Sequence, residues 1–130
     1  IDWHALSATI TGALGDHRAA VAYVEKTSAR PGQGVSSMHS FGIAAGGVHG
    51  ALAALAIPYH IVTPQAWKKR VLKGTAKDKA AAIDFCRRRY PTVPLLASLR
   101  SRKPHDGMAD ALCIAHYGWM EEIAGGEQDE

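Results

Sequence analysis

The sequence predicts an α/β domain, a sheet flanked by helices. Three observations predict it. Residues 19–24 and 59–62 are short runs of apolar or β-type residues, the mark of strands. Segments with apolar residues at helical spacing surround them, so the order is helix, strand, helix, strand and then helices. A chain of 130 residues that is 47% apolar and 21% charged can bury one ordinary core and leaves little room for two domains. The predicted domain is 1–124, followed by an acidic tail at 125–130. Two clear strands are fewer than a sheet needs.

The elements follow in order. Residues 1–15 place Trp3, Leu6, Ile10 and Leu14 at a 3.6-residue spacing behind Asp2, a good N-cap, and read as an amphipathic helix. The run 19–24 has no polar alternation, which predicts a strand buried on both faces with Glu25 at its carboxyl end. Pro31, Gly32 and Gly34 make 27–37 a loop, and 38–56 reads as a long helix whose glycines suggest close backbone packing. The second strand, 59–62, is followed by Thr63 and Pro64, an N-cap and a first-turn proline. Lys73, Gly74 and Thr75 break that helix. Another helix covers 77–90, Pro91 and Pro94 mark a turn, 95–103 is a basic connection, and 106–123 is the last helix. The tail beyond it is expected to fray.

Several classes are excluded by composition. The longest apolar stretch, 41–58, is interrupted by Gly42, Gly46, Gly47, His49 and Gly50, so no membrane span is expected. No secretory signal is expected either. Cys86 and Cys113 have no CxxC spacing and read as reduced core thiols of a cytoplasmic protein. His39, His49, His60 and His116 lack the spacing of a metal cluster, and Trp3, Trp67 and Trp119 read as core residues on apolar helix faces.

Charge is distributed unevenly. Between residues 68 and 103 stand twelve of the fifteen basic residues and two acids, a local charge of about +10, whereas 106–130 holds seven acids and no Lys or Arg. Such a basic window suits a polyanion, with nucleic acid foremost, although a solvated helix face is the commoner origin of charge runs. Arg87, Arg88 and Arg89 point three ways around a helix, so at most two share a binding face.

Three carboxylates form the candidate chemistry. Glu25 ends a strand predicted to be buried, where an unpaired carboxylate is costly. Asp106 and Asp110 lie four apart and project from one helix face. Each has a plain structural explanation, as a strand end turned to solvent, an N-cap and a first-turn acid favoured by the helix dipole. Brought together they would repel unless cations sat between them, and hard oxygen ligands suit Mg2+ or Mn2+.

The segment HDGMADALCIAHYG at 105–118, with YVEK at 23–26, PGQGVSSMHSFG at 31–42 and WKK and KGTAKDKAAA between, resembles the RuvC-type Holliday-junction resolvases of the ribonuclease-H-like superfamily. It is most similar to the phage-borne branch, over residues 19–118. The resemblance implies a ribonuclease-H-like mixed sheet flanked by helices and a two-metal site at Glu25, Asp106 and Asp110. Bacterial relatives carry an acid at the position of Gly107, so His105 is kept as an alternative ligand or as a residue that holds a ligand in place. Lys68 and Lys79 fall where family members carry lysines near the scissile phosphate, with Lys69 and Lys77 competing for those roles. The DNA-contact set it suggests comprises Lys68, Lys69, Arg70, Lys73, Lys77, Arg87 and Arg88, with Ser36 and Ser37 in a loop that either cradles a phosphate or merely connects.

The family's first strands and their catalytic Asp are not found. Asp2 is separated from Glu25 by 22 residues that read as one helix, and Asp16 lies in a turn. The chain therefore reads as the carboxyl-terminal two thirds of such a domain. The function this implies is hydrolysis of Holliday or other branched or double-stranded DNA by a homodimer, with no membrane partner, in a bacterial or phage-infected cell. Two alternatives stand beside it. One is a non-catalytic DNA-binding or assembly module with an incomplete metal site; the other is a related nuclease acting on RNA.

Overall fold

The computed structural model describes residues 1–17 and 20–128, the last three by backbone alone. The chain divides into two compact units, Ile1–Ile61 and Val62–Glu130, each described by itself below. The described residues form five helices and two strands of four residues.

In the first unit, α1 spans Trp3–Leu14. Asp2 caps it as its sequence position predicts, with Oδ1 accepting the Ala5 N–H at 3.0 Å. Gly15, at φ +52°, ends it in a conformation that only glycine adopts at little cost. No residue of α1 is buried, despite its amphipathic pattern.

Strand β1, Ala22–Glu25, pairs with β2, Tyr59–Val62, and the two make a parallel two-stranded sheet. The expected ribonuclease-H-like mixed sheet is therefore not the fold. The physical reason is length and supply: each strand is four residues long, and most of the remaining chain is helical. Strand β1 is half-buried rather than covered on both faces, and Val21 just before it is exposed. Ala19, where the strand was expected to begin, lies outside the described residues.

Helix α2 spans Val35–Ala54. It starts three residues before its predicted position because Gly34 is extended and takes the N-cap place, which moves Ser36 and Ser37 from the loop into the first turn. It ends two residues early because Ala56 adopts φ +55°, letting the Ile57 N–H reach back to the Leu52 carbonyl at 2.9 Å, the bond of a Schellman turn. Close packing is realised at Gly47, where a Cβ would overlap the Trp3 ring; at Gly42, Gly46 and Gly50 a Cβ would meet nothing.

The second unit holds most of the core. Helix α3, Pro64–Val71, is capped by Thr63, whose Oγ1 accepts the Ala66 N–H at 3.1 Å. Gly74 (φ +79°) and Lys77 (φ +57°) turn the chain into α4, Lys79–Arg89, capped by Asp78 Oδ1 on the Ala81 N–H at 2.9 Å. Helix α5, Asp106–Gln128, packs against both. Trp67, Leu72, Ala82, Cys86, Ala109 and Cys113 are almost wholly buried.

Small residues let α4 and α5 approach closely. Cys86 Sγ lies 3.4 Å from the Ala109 carbonyl oxygen and 3.7 Å from Cys113 Sγ, and Cys113 Sγ lies 3.9 Å from the Ala82 carbonyl. Both cysteines are free thiols in the core, as their spacing predicts. Helix α5 continues five residues past its predicted end into the segment expected to fray. Gly125 does not stop it, at a propensity cost of about 1 kcal/mol relative to alanine.

Candidate functional site

The start of α5 is built by His105. Its Nδ1 accepts the Met108 N–H at 3.2 Å, and its carbonyl accepts the Ala109 N–H at 3.2 Å. The imidazole therefore takes the capping role that the sequence suggested for Asp106. It folds back over Gly107, where a Cβ would come within 2.9 Å of Cε1, so the residue at 107 has to be small. With the Nδ1 lone pair engaged, the neutral ring carries its proton on Nε2, which is then a hydrogen-bond donor and not a metal ligand.

Relieved of capping, Asp106 bonds across to α4. Lys79 Nζ donates to Asp106 Oδ2 at 2.8 Å, between side chains that are 81% and 45% exposed. A pair this open to water adds little stability; its interest is chemical. The hydrogen bond from Lys79 holds the Asp106 carboxyl below its ordinary range, and the same bond, the Asp106 charge and then Asp110 raise the Lys79 ammonium. Lys79, Asp106 and Asp110 thus act as one electrostatic group. Asp106 stands at a helix N-terminus, where the dipole favours it; Lys79 stands at the other, where the dipole does not and Asp106 compensates.

Asp110 is half-buried one turn along α5. Glu25 closes β1 in the first unit and is half-buried. Among the described residues no three His, Cys, Asp or Glu side chains form a group that would hold a metal ion. Asp106 and Asp110 stand one turn apart on α5, and hard carboxylate oxygens are the donors Mg2+ takes.

The predicted DNA contacts divide into free and engaged groups. Lys69, Lys73, Lys77 and Arg87 are exposed, as are Ser36 and Ser37, and Arg88 is exposed with its Nε donating to the Asp84 carbonyl at 3.4 Å. Arg70, by contrast, is ion-paired with Glu121 and lies 5.8 Å over the Tyr117 ring, and Lys68 is half-buried with Nζ 5.5 Å over Trp67. Arg89 lies against Tyr90 and Trp119 at 5.3 and 5.9 Å.

Two features were not foreseen. Trp119 was expected in the core and is 52% exposed, and Trp3 is also partly exposed. Beside Trp119, the buried His116 shares a 2.6 Å hydrogen bond between Nδ1 and the Tyr90 hydroxyl and meets Phe85 edge to face. Tyr90 and His116 are 26 residues apart, and no local pattern signals their meeting.

Comparison with protein-family models and with curated proteins finds no match to this chain.

Proposed function

We propose that the chain belongs to a metal-dependent, structure-selective endonuclease that hydrolyses phosphodiesters in Holliday or other branched DNA, as a homodimer in the cytoplasm of a bacterial or phage-infected cell. The observation that carries this reading is the Lys79–Asp106 pair, which joins the basic window to the first turn of α5, with Asp110 one turn further on. The resemblance to RuvC-type resolvases contributes through its motifs alone, because the two-stranded sheet does not reproduce that family's fold.

In this reading Asp106 and Asp110 would be the residues that hold Mg2+ or Mn2+. When bound, the cation polarises the phosphate and supplies an activated water. The protein's own part is electrostatic. Lys79, kept protonated, neutralises Asp106; were that carboxylate to hold a cation, the ammonium would be free to meet a phosphate oxygen and would stabilise the charge that develops there. Lys68, Lys69, Lys73, Lys77, Arg87 and Arg88 contribute backbone affinity by counterion release.

The test is Mg2+-dependent cleavage of a synthetic four-way junction. Asp110→Asn should abolish it, and Lys79→Gln should slow it about 10²-fold while leaving junction affinity nearly intact. Wild-type rates in Asp110→Asn would overturn the assignment. A second reading, a DNA-binding module without catalysis, is favoured by the absence of a three-ligand group among the described residues. Tight, salt-sensitive junction binding with no cleavage in Mg2+ or Mn2+ would select it.

A further inference from the structure

The basic connection before α5 is a closed, shaped loop. At its base the His105 N–H donates to the Leu95 carbonyl at 2.6 Å, and Leu95 is buried. At its tip the Ser101 N–H donates to the Ser98 carbonyl at 3.1 Å, and the two serine hydroxyls meet at 3.0 Å, so residues 98–101 form a turn with Leu99 and Arg100 at its corners. Leu99 is fully exposed. Pro94 and Pro104 bracket the loop, Arg100, Arg102 and Lys103 stand in it, and no acid occurs between 95 and 105. His105 connects the base of this loop directly to Asp106 and the Lys79 pair.

A wholly exposed leucine at the corner of a turn, with three cations in the next four residues, suits a partner that offers both an apolar gap and negative charge. Nucleic acid supplies both halves: phosphates for the cations and a gap between bases for the leucine. We propose that loop 95–105 is a wedge that enters DNA at a branch point, with Leu99 inserted between base pairs and Arg100, Arg102 and Lys103 on the flanking phosphates. Intercalating apolar residues have to unstack a base step in continuous duplex. At a branch the stack is already broken, so the same insertion costs less there, and the wedge discriminates structure without reading sequence. The inference rests on the endonuclease reading and names how its substrate is selected. An anionic lipid surface would also accept a leucine among cations, but one apolar side chain gives weak membrane anchoring.

The experiment measures affinity by fluorescence anisotropy for a four-way junction and for linear duplex of the same sequence, with 2-aminopurine at the branch reporting unstacking. Leu99 is wholly exposed, so its replacement leaves the core intact. Leu99→Ala should weaken junction binding about tenfold, leave duplex binding unchanged and remove the 2-aminopurine signal, and Leu99→Phe should retain all three wild-type behaviours. Replacing Arg100, Arg102 and Lys103 together by alanine should weaken both complexes and flatten their salt dependence. Wild-type junction preference that survives Leu99→Ala overturns the wedge alone. A wild-type protein with no junction preference overturns the endonuclease reading with it. Leu99-dependent binding to phosphatidylserine vesicles, with junction binding independent of Leu99, assigns the loop to membranes and also overturns the proposal.

Discussion

Helices α2 and α5 are the two longest in the molecule, at 20 and 23 residues, and they solve the problem of burial differently. Helix α2 carries no Asp, Glu, Lys or Arg, yet it buries Leu52 alone and leaves Val35, Phe41 and Ile43 exposed. Helix α5 carries four acids between Asp106 and Glu122, yet Ala109, Cys113, Ile114 and His116 are buried. Apolar composition therefore does not decide burial here. A fitted neighbour does: α4 offers Ala82 and Cys86 where α5 offers Ala109 and Cys113, and the small side chains let the helix axes close up.

The difference can be broken most forcefully at the second unit's centre. Trp67→Ala should cost about 3–5 kcal/mol, read as a lower urea midpoint, because a fully buried indole leaves a cavity its neighbours cannot fill. A loss under about 1 kcal/mol would mean that α3 is not part of a cooperative core. Overpacking comes next: Ala109→Leu should cost about 1–3 kcal/mol by forcing α4 away from α5, and an unchanged midpoint would show the helix pair to be loosely apposed.

A smaller effect concerns pH. Burial first, and then the Arg89 charge, hold His116 below its ordinary pKa, so the folded unit favours the neutral ring, hydrogen-bonded to the Tyr90 hydroxyl. The stability this contributes is complete above the unfolded value of about 6.5 and is lost as pH falls toward the lowered folded value. The urea midpoint should therefore drop between pH 7.5 and pH 5, and His116→Gln should reduce that drop; an identical drop in both proteins would remove His116 as a cause. The smallest effect is expected on α2, where Phe41→Ser should move stability by no more than about 0.5 kcal/mol. A larger loss would show that this face is covered in solution and would erase the contrast between the helices.

What the sequence made legible was chemistry confined to a few neighbouring residues. Asp2 and Thr63 cap the helices that follow them, Gly74 turns where a glycine is needed, and β2 occupies its predicted residues, whereas Asp78, read inside a helix over 77–90, is the cap of α4. What depends on distant partners was less so. The run ending at Val24 looks like a doubly covered strand because its composition is apolar, but coverage requires neighbours that a two-stranded sheet lacks. The candidate site divides similarly: the i, i+4 relation of Asp106 and Asp110 is read directly from spacing, whereas the Lys79 pairing spans two helices. The displacement of Asp106 from the cap by His105 depends on Gly107 being small, and spacing alone favoured the aspartate.

The contact between Cys86 and Cys113 has a consequence of another kind. Burial pushes both thiols above their ordinary pKa, so they remain protonated and unreactive while α4 and α5 stay together. A thiol reagent in the surrounding water reaches them only when the helices part. In the regime where reclosing outpaces labelling, the rate of modification divided by that of an unfolded peptide gives the fraction of time the pair is open. The molecule thus carries a built-in gauge of its own breathing, at the point where two helices meet through their smallest side chains.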